Sequence, residues 1–539
     1  MKGSRPLEPL PARLIAGLRH SSAYPEDRSA RGRIAHVQTH LSHVFLSGEK
    51  VYKLRKAVDL GFVCFATKAQ RDADCLREVA LGRRLAPDVY LGVAPVRIAG
   101  RRVRVGRCSD RLVAGRSAVE HCVVMRRLPQ GRDALSLLEA GRLRPEQIDR
   151  VALTVARFHS QNRLRLRQHG SAAAWLERSQ APVRQNFELL REASVDLPGR
   201  PALLRAATLA RAEGLARRFV EHARARFEAR RRACRGVDGH GDLHLQHVFF
   251  ETDDAVPLLI DCLEFRDDLR QIDAAAEVAF LAMDLRYRGR AKLAERFLSR
   301  YAAAADDYDL YGVVDYYVRY RAAVRAKVAA VAALDPQLGS AQRRAAAASA
   351  RRHLALAARA QLVLQRPAVV VLCGLVGTGK SSVARASAEL LAGVTISSDV
   401  VRRRSGAAPV YSERAKETIY KSLLERAKPV LESGRVAILD ATFDRARRRA
   451  QVLRFAATQG VPALLLETRC PPWITLARLA RRQAAGQDPS QAGPELYAWS
   501  AAHFEPPDEW PAAFRRSLWT HRPWRGALRR ALAVLRANR

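Results

Sequence analysis

Residues 368–392 read AVVVLCGLVGTGKSSVARASAELLA, and the order of residue types in them decides the architecture of the C-terminal part of the chain. The apolar run 368–373 is valine-rich and too short for an ordinary helix, so it predicts a buried strand. Gly374, Gly377 and Gly379 follow, then Lys380, Ser381, Ser382 and apolar residues at helical spacing. The pattern G-x-x-x-x-G-K-[ST], set between strand and helix, belongs to a loop whose backbone N–H groups, that of Thr378 included, wrap phosphate at a helix N-terminus. Lys380 is placed to reach the outer phosphates, and the Ser381 hydroxyl to hold Mg²⁺. The chain has 11 lysines among its 93 Lys and Arg. A lysine at the one position that needs a compact point charge is therefore informative.

Outward from this loop the pattern alternates through VTIS, a long helical stretch, RVAILD, another helix, PALLLET and more helix. Alternation of that kind predicts a parallel sheet with crossover helices. Two carboxylates fall at predicted strand ends. Asp440 closes RVAILD, where an acid binds Mg²⁺ directly or through water. Asp399, nineteen residues past Lys380, is the candidate base for an acceptor hydroxyl, with Arg402 placed to hold an anion. Asp399 is equally well suited to cap the helix that VVRRR begins. Farther on, ARLARRQAAGQDPS carries Arg478, Arg481 and Arg482 on one helix before a Gly-containing loop. They predict either a lid that presents Arg478 and Arg482 to phosphate or a solvated basic face. Through GLVGTGKSS, ISSDVVRRR, ILDATF and this helix, residues 367 to about 510 resemble the P-loop kinases that include zeta toxins, polynucleotide 5′-kinases and chloramphenicol phosphotransferases. The resemblance implies phosphoryl transfer from ATP to a hydroxyl.

The N-terminal part reads differently. Residues 34–64 and 89–127 carry β-branched and apolar runs broken by Gly-containing turns, which predicts an antiparallel sheet, and RDADCLREVALGRRL between them has helical spacing. From Arg144 to about Leu364 the pattern is helical except near 236–273, where VDGHGDLHLQHVFF and LLIDCLEF predict a loop with short strands. The loop with Asp242, followed nineteen residues later by Asp261, resembles the kinase catalytic loop and its metal-binding Asp. That likeness implies that Asp242 accepts the substrate proton and Asp261 binds Mg²⁺. It also implies that Lys53 in VYKLRK and Glu78 in CLREVAL form the pair that orients nucleotide phosphates, and that CVVMRRLP at 122–129 is the hinge. Singly, Lys53 reads as a solvated strand lysine, Glu78 as a helix-surface acid and Asp261 as a turn residue; their order and spacing match a two-lobed kinase.

This half resembles the aminoglycoside phosphotransferase and choline kinase branch of the kinase-like fold. The whole chain, with GFVCFAT, RRLAP, EVAFLAMDL and VRAKVAA, resembles bacterial fusions of an aminoglycoside phosphotransferase domain with an ATP-binding P-loop domain. Two domains follow: an α+β bilobal protein-kinase-like domain over 1–340 and an α/β P-loop parallel-sheet domain over 366–539. The Ala-rich stretch 341–365, free of Pro and Gly, reads as a connecting helix. There are two departures from the pattern. His247 stands where the likeness implies a metal-binding Asn, which leaves Mg²⁺ to Asp261 and Gln246. THLSHVFLSGEK lacks G-x-G-x-x-G.

The chain has 539 residues and a formal charge of +39. Such an excess suits polyanions, yet arginine and alanine are enriched from end to end, which reads as compositional bias. Residues 251–315 reverse the sign, with 15 acids against 8 Lys or Arg. That island predicts either a site for metal ions or a cationic substrate, or ordinary solvated surface. Eight cysteines without a C-x-x-C pair, and no His cluster recognised at zinc spacing, predict a reduced compartment and no structural zinc. With no apolar leader or membrane span, the expectation is a cytoplasmic, soluble protein. Three functions are consistent with these motifs. The first is a bifunctional ATP-dependent kinase acting on small-molecule hydroxyls. In the second, the P-loop half phosphorylates nucleic-acid 5′-hydroxyls. In the third, the N-terminal half is a non-catalytic regulator.

Overall fold

The computed structural model describes residues 7–59, 63–100, 102–113, 118–195, 202–336, 338–404, 413–485 and 495–537. Six antiparallel strands form the N-terminal sheet: β1 (Ala35–Gln38), β2 (Ser42–Ser47), β3 (Lys50–Arg55), β4 (Tyr90–Ala99), β5 (Arg102–Val105) and β6 (Glu120–Arg126), in the order β1-β2-β3-β6-β4-β5. On β3, Lys53 lies between Val44 of β2 and Val123 of β6. The helix Lys68–Gly82 starts at Thr67, whose hydroxyl accepts from the Gln70 N–H in a capping box. It buries Cys75 and Val79 against Val89, Tyr90, Val93 and Val123, which brings Glu78 under the sheet, 1% exposed.

Two small antiparallel ribbons carry the region that sequence marked as a loop. One pairs β7 (Gly236–Asp238) with β10 (Gln271–Asp273), and the other pairs β8 (Val248–Phe249) with β9 (Leu258–Leu259). Asp242 sits between β7 and β8, and Asp261 between β9 and β10.

The C-terminal sheet is parallel throughout, in the order β12-β13-β11-β14-β15. Its strands are β11 (Ala368–Cys373), β12 (Val394–Ser397), β13 (Val436–Asp440), β14 (Ala463–Arg469) and β15 (Arg515–Trp519). Every residue of β11 and β13 is buried, as crossover helices on both faces require.

The chain forms two compact units that do not follow its sequence division. One holds residues 1–154, 161–165 and 236–273; the other holds 155–160, 166–235 and 274–539. Within the second, helices of the kinase-like half pack on the P-loop sheet. Arg435, just before β13, pairs with Glu295 and Asp315, each at 2.8 Å. On β12 the Thr395 carbonyl accepts from the Tyr308 hydroxyl at 3.2 Å. The Ala-rich helix runs Ser340–Ala357, shorter than the sequence predicts. Past it, Arg319 donates to the carbonyls of Arg359 and Ala360, and Arg286 to that of Leu362. Those carbonyls thus have side-chain donors in place of helical ones.

Candidate active sites

In the C-terminal site the loop geometry follows from the glycines. Gly374, Gly377 and Gly379 have φ of 139°, 76° and 91°, which only glycine adopts without strain. Space matters as much: a Cβ on Gly374 would lie 2.5 Å from the Thr468 carbonyl oxygen, and one on Gly377 2.8 Å from Thr475 Cγ2. Lys380 folds back over this loop and donates to the carbonyls of Gly374 at 3.0 Å and Leu375 at 2.8 Å. Burial lowers its pKa, while Asp440 and Asp399 pull the other way. Burial raises the pKa of Asp440 against the pull of the Ser381 hydroxyl and of Lys380. Asp399 and Asp440 are thus near enough for their charges to act on Lys380, and Asp399 and Ser381 near enough to act on Asp440.

The oxygens of Ser381 and Asp440 are a donor pair suited to Mg²⁺. Ser382 is exposed on the first helical turn. Asp399 lies in the first turn of the helix Ser398–Arg404 and pairs with Arg402 at 3.0 Å. The two arginines proposed for a lid part company. Arg478 donates to the hydroxyl and carbonyl of Thr520 at 3.1 and 3.0 Å, and the Thr520 hydroxyl in turn donates to the Thr378 carbonyl at 2.7 Å. Arg478 thus braces the loop from behind. Arg482 is close enough to Lys380 for its charge to lower the lysine pKa. Arg481 is exposed, and the loop at 486–494 lies outside the described residues.

The N-terminal site joins the residues that the kinase likeness singled out. Lys53 Nζ reaches Glu78 at 2.9 Å and Asp261 at 2.6 Å. Burial opposes its charge, but Asp261 and Glu78 outweigh burial and raise its pKa. Burial also pushes Asp261 up, and Lys53 and His247 nevertheless hold it well below the ordinary carboxylate range. Asp261 has φ of 61°, a left-handed conformation that Asp tolerates better than most residues. Its N–H donates to the Tyr90 hydroxyl at 2.8 Å.

The loop around Asp242 is tied to this segment by backbone bonds. Ile260 N–H donates to the His247 carbonyl at 3.0 Å, and Leu263 N–H to the His240 carbonyl at 2.9 Å. His240 Nε2 donates to the Ile260 carbonyl at 2.8 Å, and its Nδ1 accepts from Asp242 N–H at 3.3 Å. Burial brings its pKa down to about 4.

Some features were missed in reading the sequence. Arg55, two residues along β3 from Lys53 and so on the same face, pairs with Asp74 and Glu78 at 2.6 Å and with Glu264. Burial pushes Glu264 up to about 8 against the pull of Arg55. His244 and His247 also join Asp242 in one cluster, with one candidate ligand atom from each lying within 4.8 Å of the others. The expectation of no histidine cluster is thereby corrected: H-x-x-x-H-x-x-H over 240–247 was its visible signal. Gln246 is exposed.

The acidic island is largely neutralised from outside itself. Arg126 pairs with Glu251, Arg132 with Asp253, Arg150 with Asp254, Arg230 with Asp307, and Arg426 with Asp306. Among the described residues no helix is long and apolar enough to cross a membrane.

Together the two sites define a pair of kinase-type phosphotransferase folds on one chain. Residues 51–317 match the phosphotransferase enzyme family, and residues 369–507 match an AAA domain family. Proteins of Mycobacterium tuberculosis strain H37Rv and of Mycobacterium bovis, both described as uncharacterized, are each 33% identical over 467 residues, 84% of this chain and 86% of theirs. The chain belongs to the family of these mycobacterial proteins, and it joins an aminoglycoside phosphotransferase-like domain to a P-loop kinase-like domain. Among solved structures, a choline/ethanolamine kinase family protein from Mesorhizobium loti is similar at 14% identity, covering 64% of this chain and 97% of its own, with a TM-score of 0.35. The Mycobacterium tuberculosis APS kinase in complex with AMPPNP and APS is similar at 18% identity, covering 32% of this chain and 100% of its own, with a TM-score of 0.27.

Proposed function

We propose that the chain is a bifunctional ATP-dependent phosphotransferase that moves the γ-phosphoryl group of ATP to a small-molecule hydroxyl at each of two sites. The observation that carries this reading is the glycine loop shaped for phosphate with Lys380 folded over it, and with Asp440 and Asp399 near enough for their charges to act on that lysine. In the C-terminal half the N–H groups of the loop hold the phosphates, and Lys380 exchanges its contacts with Gly374 and Leu375 for phosphate oxygens. Ser381 and Asp440 would hold Mg²⁺, which would supply charge neutralisation. Asp399 takes the hydroxyl proton while the acceptor oxygen bonds to phosphorus and the bond to ADP breaks. Arg402 orients the acceptor, and Arg482 offsets charge on the phosphoryl group in flight. In the N-terminal half Lys53, steadied by Glu78, holds the phosphates and Asp242 takes the proton.

One observation favours a second reading for the N-terminal half, as a regulator that binds without transferring. Asp261 is already paired with Lys53 and faces a histidine, a set of neighbours ill suited to Mg²⁺. The test is release of γ-phosphate by the full chain. Lys380→Ala is expected to remove the larger part of turnover, and Asp242→Asn to lower the remainder by about 10²–10⁴-fold. Unchanged residual activity when Asp242→Asn is added to Lys380→Ala would exclude the bifunctional form, and full activity in Lys380→Ala would exclude the C-terminal site.

A further inference from the structure

Lys53 has a buried counterpart in Arg55, two residues along β3 and on the same face. Lys53 joins β3 to Glu78 on the helix Lys68–Gly82 and to Asp261 in the segment between β9 and β10. Arg55 joins β3 to the same two elements: to Asp74 and Glu78 on the helix and to Glu264 in the segment. The two cations divide one carboxylate. Glu78 gives Oε1 to Lys53 at 2.9 Å and Oε2 to Arg55 Nη2 at 2.6 Å. Glu264 accepts from that same Nη2, and Asp74 Oδ2 lies 2.6 Å from Nε as an ion pair without a hydrogen bond. Nη1 donates to the hydroxyl of Ser42, the cross-strand neighbour of Arg55 on β2, at 2.9 Å.

Exposure separates the two cations by role. The side chains of Lys53 and Asp261 are 13% and 45% exposed, whereas those of Arg55, Glu78 and Glu264 are 2%, 1% and 6% exposed. Phosphate oxygens can therefore reach Lys53 and not Arg55. When they arrive, Lys53 exchanges a carboxylate for them, and one tie between strand, helix and segment is lost. The ties through Arg55 persist, because nothing that enters from solvent competes for them. Their reach extends to the loop of Asp242, since Leu263, next to Glu264, donates its N–H to the His240 carbonyl. A guanidinium is needed for this: its planar fork offers donors on several sides at fixed angles, which a single ammonium on a flexible stem does not.

We propose that Arg55 is a positioning residue of the N-terminal nucleotide site, acting through Glu78 and Lys53 to keep that lysine aimed at phosphate while its contacts change. The inference rests on the reading that this half binds ATP, and holds whether or not it goes on to transfer phosphate. The test is calorimetric titration of ATP into the full chain carrying Lys380→Ala, which weakens phosphate binding at the other site. Adding Arg55→Lys is expected to weaken N-terminal ATP binding by at least about tenfold. With Lys53→Ala also present, Arg55→Lys is expected to cost less than about twofold more, because the arginine acts through the lysine and the two losses do not add. An arginine that merely supports the fold predicts the same loss with and without Lys53. That result, or unchanged ATP affinity in the Arg55→Lys chain, overturns the proposal alone. ATP binding that Lys53→Ala does not weaken would overturn the reading beneath it, and the proposal with it. If Arg55→Lys does not fold, Glu264→Leu, which leaves Arg55 paired with Glu78 and Asp74, replaces it in the same cycle with the same expected and contrary results.

Discussion

Gly377 has little latitude. Its φ of +76° disfavours any side chain, and a Cβ there would sit 2.8 Å from Thr475 Cγ2 and 2.9 Å from Leu479 Cγ on the helix that carries Arg478 and Arg482. Strain of about 1–2 kcal/mol from the backbone and about 1–3 kcal/mol from overpacking both resist substitution. Gly377→Ala is expected to weaken ATP binding by at least about tenfold, read by calorimetry; unchanged affinity would show that the loop is slack. Histidines give a second residue-scale prediction. Burial lowers His240 and His353 to about 4, below the roughly 6.5 of an unfolded chain. Between those values the unfolded state binds more protons, so their stabilisation is complete above about pH 6.5 and is lost as pH falls toward 4, at up to about 1.4 kcal/mol per pH unit for each. Urea midpoints at pH 7, 6 and 5 check this. His353→Phe, which keeps a ring against Tyr287, should flatten part of the slope, and an unaltered slope would contradict its share.

At the scale of elements, what could be read from the sequence was local. The glycine loop, its lysine and the strand before it lie within a dozen residues, so periodicity and spacing were enough to place them. HGD and the acid after it were legible for the same reason. Arg55 and Glu264 were not, because they are 209 residues apart in sequence and nothing local marks either one. The bracing role of Arg478 was hidden in the same way, since its partner Thr520 follows β15, 42 residues on. The helix Lys68–Gly82 shows how a local signal positions a remote one. Thr67 caps it, and Glu78 three turns later meets Lys53. Thr67→Ala removes the cap and is expected to cost about 1 kcal/mol, measured by urea unfolding, and to reduce nucleotide affinity in the N-terminal half alone. Equal loss at both sites would argue against a local effect.

At the scale of the whole molecule, part of the arginine in this chain has a structural use that composition did not reveal. Arg55, Arg71, Arg230, Arg435, Arg448 and Arg449 are all buried, and each has a carboxylate partner. Bidentate guanidinium groups suit such interior pairs. Arg435 joins helices of the kinase-like half to β13, the strand that ends at Asp440. Arg435→Leu leaves Glu295 and Asp315 without this partner and is expected to destabilise the fold by about 3–5 kcal/mol, with reduced turnover at the C-terminal site; a loss under 1 kcal/mol would show that the junction tolerates the break. The central claim is that this chain transfers phosphate from ATP. Its most direct test is γ-labelled ATP offered with metabolites, aminoglycosides and 5′-hydroxyl oligonucleotides to wild type, Lys380→Ala and Asp242→Asn in parallel. We expect label on a small-molecule hydroxyl, reduced by each substitution; no label on any acceptor and no ATP hydrolysis by the wild type would contradict the account.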